Sequence, residues 1–365
     1  MKIIKLFILL FAANFVLSAE ASSTAKITTA KVKSSEAQKS LRLETVFGPM
    51  ILDHPALIDV HNHRIIQRLK GIDQLGSTKY FLKLKGFSRY EHSVGVLYLL
   101  KKAGVSVKEQ IAGLTHDASH TVFSHVADRL FDQEGYQDHI HDSYLLKSGV
   151  GSVLKKHGLK INDILPDQPA FKALENDLPD MCADRIQYNL NKALSFDLIS
   201  TADVQRILEN LTFKNGKWFF TDPKIAYEFA KLSLYFTEHV YGSAENIAIY
   251  TWTVNMLKRA MAIGLVKHDE IHFGEDIAVL NKLYASADPY IQEQIKKCEN
   301  AKSYYKLVST TEKFDLHGKT KFRGIDPLVY KNGEFLRLTC IDAKFAAEYN
   351  QVKEFCKKGL YIAFI

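Results

Sequence analysis

From Pro55 to about Val266 the chain keeps apolar residues at three- and four-residue spacing, with few prolines and only scattered glycines. A strand cannot hold that period, because its side chains change face at every residue. The middle of the molecule is therefore committed to packed helices. The spacing predicts them over 60–76, 90–103, 107–118, 121–131, 139–157, 178–195, 202–212, 224–240, 244–263 and 268–284. Most connections between them are short enough for antiparallel neighbours. Ahead of this run, LRLETVFGPMIL alternates apolar and polar residues around Gly48-Pro49, a pattern for a short strand or hairpin. After about Ser303 two β-rich stretches flank Lys331-Asn332-Gly333, an Asn-Gly hairpin signal, and a helix over 343–358 and the strand LYIAFI follow. The expected fold class is mainly α: a helical bundle over residues 43–300 with a small α+β C-terminal subdomain over 301–365.

The N-terminus has a different character. Lys2 and Lys5 precede an apolar run from Leu6 to Leu17, closed by the small residues Ser18 and Ala19, which is the layout of a secretory signal peptide over 1–19. The run falls short of the roughly 20 apolar residues of a membrane span, so no span is expected in the mature chain; a retained N-terminal anchor is the alternative. Residues 20–42, rich in Ser, Thr, Ala and Lys, cannot bury enough apolar surface to order themselves and are predicted to be a flexible linker. Export would leave the product periplasmic or secreted, where Cys182, Cys298, Cys340 and Cys356 meet an oxidising medium. Three disulfide pairings are possible. Cys340 with Cys356 is one bridge they allow, and four free thiols are the alternative.

Lysines and arginines number 48 against 41 acids, a formal charge of +7 that falls to +5 once residues 1–19 take two lysines and no acid with them. This excess is spread along the chain as a solvated exterior, and no aromatic-basic motif accompanies it, so no nucleic-acid partner is predicted. With 47% of residues apolar and 24% charged, the chain has the composition of a globular protein with a substantial core.

The chemistry is concentrated in one stretch. Six of the fourteen histidines lie between residues 92 and 141, with four aspartates nearby. At its centre, LTHDASHTVFSHVAD places His116-Asp117 together, then His120, His125 and Asp128. Neighbouring side chains on a helix diverge by about 100°, so His116 and Asp117 can clasp one ion only from a helix end facing a cavity. Two more ligands must come from elsewhere. Buried histidines are often only hydrogen-bonded core residues, but several ionisable groups sharing one buried point call for a cation.

His92 in SRYEHSVGV, His116-Asp117 in LTHDASHTVFSH and Asp184 in MCADRIQYNL, in that order and spacing, resemble the metal-ligand set of the HD superfamily of metal-dependent phosphohydrolases. Gln67-Arg68-Leu69-Lys70-Gly71-Ile72-Asp73-Gln74-Leu75-Gly76 is similar to a segment of its deoxynucleoside triphosphate triphosphohydrolase branch, and FRGIDPLVY resembles a related bacterial subgroup. The resemblance implies an HD-domain helical bundle in which His92, His116, Asp117 and Asp184 hold one divalent transition metal. Mixed nitrogen and oxygen donors suit Fe, Mn, Zn or Ni better than Ca or Mg. It implies His120 and Asp128 as the pair acting on water or leaving group. It further implies Arg89, His125, His141, Arg185 and Tyr188 at phosphate or sugar, and Gln74 and Leu75 against the sugar. Eight residues of continuous helix would part His120 from Asp128 by about 12 Å, so a break near Ser119–Thr121 is required, with a new helix from about Val122.

The match has departures. Ser119 and Thr121-Val122 stand where relatives carry Gly and Gly-Pro. Lys192 replaces an Asp that holds the sugar 3′-hydroxyl, and His239 and Ser243 stand where an Arg and a His are expected. The implied function is an exported metal-dependent phosphohydrolase acting on a nucleotide or related phosphate ester through a metal-activated water. Alternatives are a phosphomonoesterase or phosphodiesterase at the same site, and a non-catalytic metal- and nucleotide-binding protein. The resemblance also implies a homo-oligomer.

Overall fold

The computed structural model describes residues 40–365. The expected signal peptide and residues 20–39 of the expected linker lie outside the described residues, and Leu41 and Arg42 already belong to a strand. That strand, Leu41–Thr45, pairs antiparallel with Gly48–Leu52, Leu41 lying opposite Leu52, so the alternating pattern around Gly48 does fold as a hairpin. Met50 and Leu52 turn inward and seat it on the body.

Helices follow, as the apolar period requires. Arg89–Ala103 opens on a capping box in which Ser88 and Glu91 bond each other's backbone N–H, and it stops at Gly104, whose φ of 68° suits glycine. The stretch expected as one helix over 60–76 is divided into Pro55–His61, Arg64–Arg68 and a 3₁₀ turn at Leu69–Gly71. His54 and His63 cause the division: each accepts a backbone N–H two residues ahead and starts a new helix. The helix expected over 139–157 is likewise two, Tyr136–Ser148 and Val150–Lys156, parted at Gly149 with φ 86°. The run 121–131 contracts to Val126–Leu130.

The largest core joins Val96, Leu99 and Leu100 of Arg89–Ala103, Ile186 and Leu190 of Ala183–Ser195, Phe229 and Phe236 of Pro223–Phe236, and Phe345 and Val352 of Ala343–Lys358. Each such side chain, fully buried, stabilises the fold by about 1.5–3 kcal/mol.

One departure falls inside the region read as wholly helical. Leu211–Lys214 and Lys217–Phe220 form a hairpin at Asn215-Gly216, both with positive φ. Lys217–Phe220 then pairs in parallel with Leu328–Lys331, whose antiparallel partner is Glu334–Arg337. Strands from both sides of residue 300 thus share one four-stranded sheet. The chain closes with a three-stranded sheet in which Leu360–Phe364 lies between Tyr305–Leu307 and Leu316–Gly318. The four thiols are free, Cys340 exposed and the other three buried, so the Cys340–Cys356 bridge is not formed. No described helix is long and apolar enough to cross a membrane.

Candidate metal centre

Three helices deliver the donors. His92 sits one turn after Arg89 on the helix Arg89–Ala103, His116 caps the C-terminus of Val107–Thr115, and Asp184 opens Ala183–Ser195. Because the helix ends at Thr115 and the chain turns from His116 onward, the side chains of His116 and Asp117 both reach the same point. His92 Nε2 lies 3.2 Å from His116 Nε2 and 2.9 Å from Asp184 Oδ1, and His116 Nε2 is 3.5 Å from that oxygen. Asp117 lies alongside, 3.6 Å from His92 Nε2 and 3.5 Å from His116 Nε2.

The outer ring nitrogens fix which atom faces the centre. His116 Nδ1 donates to the Gly113 carbonyl at 2.7 Å, and His92 Nδ1 donates to Gln187 Oε1. Both imidazoles therefore turn Nε2 inward as the available donor atom, the arrangement that second partners impose on metal-binding histidines. Gly95 makes this possible: a Cβ there would stand 2.5 Å from the Gln187 amide.

Two imidazole nitrogens and two carboxylates packed this closely need positive charge among them, supplied by protons or by a metal ion. The field is visible in the titration of the groups themselves. Burial disfavours charge on His116, yet Asp117 and Asp184 outweigh it and raise that imidazole to about 9. Burial likewise opposes ionised Asp184, and the hydrogen bonds from His116 and His92 overcome it and hold the carboxyl far below the usual range. The donor set thus fits a borderline divalent cation, and among the described residues His92, His116 and Asp184 form a ligating cluster.

Around this point several buried polar atoms have no partner among the described residues: Arg89 Nη2, His120 Nδ1, His141 Nε2 and Gln187 Nε2. Such orphans are rare in folded proteins. Of these, Gln187 Nε2 packs against Gly95, while the other three belong to side chains around the ligand set.

The break after His116 is present and longer than expected. Residues 116–125 run as successive turns, and helix resumes only at Val126. Phe123 and Ser124 take φ of 59° and 54°, and the surroundings hold them there. Asp276 accepts from Phe123 N at 2.7 Å, Asp73 N at 2.9 Å and Tyr80 OH at 2.9 Å. Arg68 donates to the carbonyls of Ala118 and His120. Gly76 packs so closely that a Cβ would meet the Phe123 carbonyl at 2.6 Å. The roles of Arg68 and Asp276 were not apparent in the sequence; the QRL segment was a signal for the first, and nothing local pointed to the second.

Arg89 is buried and joins helix to loop, donating to Asp117 Oδ2 at 2.6 Å and Ser124 Oγ at 2.9 Å. His120 Nε2 lies 3.3 Å from Asp117 Oδ1. Asp128, however, is not paired with His120: its carboxylate sits 3.4 Å from His125 Nδ1, and His125 stands edge-on to His120 with ring centroids 5.0 Å apart. His141 is buried with Nδ1 2.9 Å from Ser119 Oγ. Tyr188 flanks the centre, its ring 6.5 Å from that of His92. Gln74 and Leu75 lie between Asp73, bound by Asp276, and Gly76, against the loop. Arg185 turns away, donating to the carbonyls of Asn176 and Asp180. His239 is half-exposed beside Glu238 with its ring tilted against Tyr235, and Ser243 is a helix cap.

Comparison with known proteins agrees with this geometry. The model of the HD domain matches residues 89–168, the segment that supplies His92, His116 and Asp117. The uncharacterized protein YdhJ of Bacillus subtilis is 31% identical over 301 residues, 81% of this chain and 91% of that one. The metal-dependent phosphohydrolase cns2 of Cordyceps militaris is 27% identical over 80% of this chain and 85% of its own length. The chain belongs to the HD-domain metal-dependent phosphohydrolases. This HD phosphohydrolase is also 30% identical over 143 residues to the deoxynucleoside triphosphate triphosphohydrolase SAMHD1 of Xenopus laevis, a match spanning 32% of this chain and 22% of that protein. A hypothetical protein from Aquifex aeolicus shares the fold, with a TM-score of 0.66 over 84% of this chain and 93% of its own, at 16% identity.

Proposed function

We propose that this HD phosphohydrolase cleaves a phosphate ester of the nucleotide type, and that residues 1–19 direct its export. The observation that carries the reading is the convergence of His92, His116 and Asp184 on one buried point, with Asp117 beside them and the unpartnered Arg89 Nη2 close by. His92, His116 and Asp184 would hold a divalent ion, which when bound would supply Lewis acidity toward a phosphoryl oxygen and activate water near neutrality. Asp117 is proposed as the fourth ligand, and Fe, Mn, Zn and Ni remain the candidate metals.

The chain's own groups do the rest. Arg89, already anchored through Nη1 and Nε, directs its remaining nitrogen to a phosphate oxygen. His120 turns Nε2 to Asp117 Oδ1 at 3.3 Å and leaves Nδ1 unpartnered, so Nδ1 is the atom placed to take a proton. His125, oriented by Asp128 and more open to solvent, is placed to return a proton to the leaving oxygen. Burial and the charge of His116 hold His141 down at about 4, so it offers a neutral donor or acceptor beside Ser119. The partial similarity to triphosphohydrolases supports a nucleotide substrate, while the outward position of His239 favours one whose outer phosphate is held elsewhere.

The test is phosphate release and product identification by chromatography. The purified full chain, supplied with Mn²⁺, is assayed against nucleoside mono-, di- and triphosphates, a simple aryl phosphate and a phosphodiester. Turnover of at least one nucleotide, abolished by His116→Ala, is the expected result. No hydrolysis of any phosphate ester contradicts the proposal.

A further inference from the structure

Eight residues after Asp184, on the same helix, Lys192 is 1% exposed. Its ammonium donates to Tyr241 OH and stands 4.1 Å from the centroid of that ring, 5.6 Å from Tyr188 and 5.5 Å from Phe236. A second cation joins it from far along the sequence: the Arg323 guanidinium lies 5.6 Å from the same Tyr241 ring. The FRGIDP segment is fixed in place just after this arginine. Ile325 N donates to Ser233 Oγ at 2.9 Å and Asp326 N to the Pro179 carbonyl at 3.0 Å. Neither Lys192 nor Arg323 makes an ion pair among the described residues. Arg89, the other buried cation of the site, is balanced by Asp117.

Two basic groups without a carboxylate partner in a largely buried place cannot both carry charge at low cost unless an anion joins them. Aromatic rings offset part of this through their faces, but a leucine or methionine at 192 would fill the same space without the penalty. Burial is the main reason the Lys192 amine is held well below its ordinary range; the charges of Arg323 and Arg89 add to it, those of Asp73 and Asp184 oppose it, and an anion alongside favours the charged form. Tyr188 connects this place to the metal centre, since its ring lies 6.5 Å from that of His92 and 5.6 Å from the Lys192 nitrogen.

We propose that Lys192 and Arg323, with Tyr188 and Tyr241 as walls, form a second anion subsite. The substrate then carries two phosphoryl groups, one over His92 and His116 and one held by Lys192 and Arg323. This rests on the hydrolase reading and narrows its substrate class: a nucleotide with a phosphoric anhydride or a second ester phosphate is taken, and a monophosphate is a poor ligand. The C-terminal segment is thereby part of the binding site, and Arg323 supplies the guanidinium that the helix bearing His239 lacks.

Isothermal titration of the metal-loaded full chain tests it with two pairs of probes, metal content being checked after each run. Inorganic diphosphate is compared with inorganic phosphate, and adenosine 3′,5′-bisphosphate with adenosine 5′-monophosphate. In at least one pair the doubly phosphorylated probe should bind tighter by about tenfold or more, as expected for charge-assisted contacts in a buried site. Lys192→Met and Arg323→Gln should each bring that ratio toward one, and Lys192→Arg should restore it. Lys192→Met keeps the volume and removes a buried charge, so it reads the effect even if Arg323→Gln folds poorly. The proposal is overturned if neither pair shows a preference, or if the preference survives both substitutions. Should the ratio behave as stated while no ester is hydrolysed, the hydrolase reading fails and the subsite stands. Should esters turn over while both variants keep the wild-type ratio, the subsite alone fails.

Discussion

At the scale of single residues, the site is a set of histidines given different duties by their partners. His92 and His116 have Nδ1 occupied by Gln187 and Gly113, so Nε2 is the atom left to face the shared centre. His120 has the reverse arrangement, with Nε2 toward Asp117 and Nδ1 unpartnered. A group that takes a proton but does not ligate can be removed without emptying the site. His120→Ala should lower kcat by about 10²–10⁴-fold, the usual yield of acid-base catalysis, while metal content stays at the wild-type level. Steady-state phosphate release with parallel elemental analysis checks this, and unchanged turnover would remove His120 from the mechanism. The convergence of His92, His116 and Asp184 was legible because a shared ion would constrain residue type and spacing. The pairing of Asp128 was not, since choosing His125 over His120 depends on two positive-φ residues, Phe123 and Ser124, that carry no local mark in SHTVFSH.

At the scale of elements, the loop 116–125 is held by groups distant in sequence, which is why its shape escaped a reading based on period. Asp276 is the main one. Burial pushes its carboxyl up to about 6, with the hydrogen bonds from Phe123, Asp73 and Tyr80 pulling the other way. The folded state therefore prefers the protonated form relative to the unfolded chain, where the value is near 3.8. The stability this supplies is complete below the unfolded value and is lost as pH rises through about 6. Against Asp276→Asn, which cannot titrate, wild type should gain stability as pH is lowered from about 7 to about 4.5. Denaturant midpoints measured across that range check it, and a difference that stays flat with pH contradicts the assignment. Helix limits followed the sequence where caps are explicit, as at Ser88, Glu91 and Gly104. They failed where histidines cap, at His54 and His63, because that residue type is a rare cap. The hairpin at Asn215-Gly216 carried the same signal as Asn332-Gly333 and was hidden only by the helical run around it.

At the scale of the whole molecule, the helical body places three ligands from three helices at one point, and the C-terminal segment brings Arg323 to the same neighbourhood. That second fact could not be read from spacing, because it depends on Leu328–Lys331 pairing with Lys217–Phe220 more than a hundred positions earlier. The account depends most on the ion. Elemental analysis by plasma mass spectrometry of the full chain and of His116→Ala, both purified without chelator after growth with Fe, Mn, Zn and Ni, tests it most directly. About one transition-metal ion per chain in wild type and almost none in the variant is the predicted result. Equal metal in both proteins, or none in either, would contradict it.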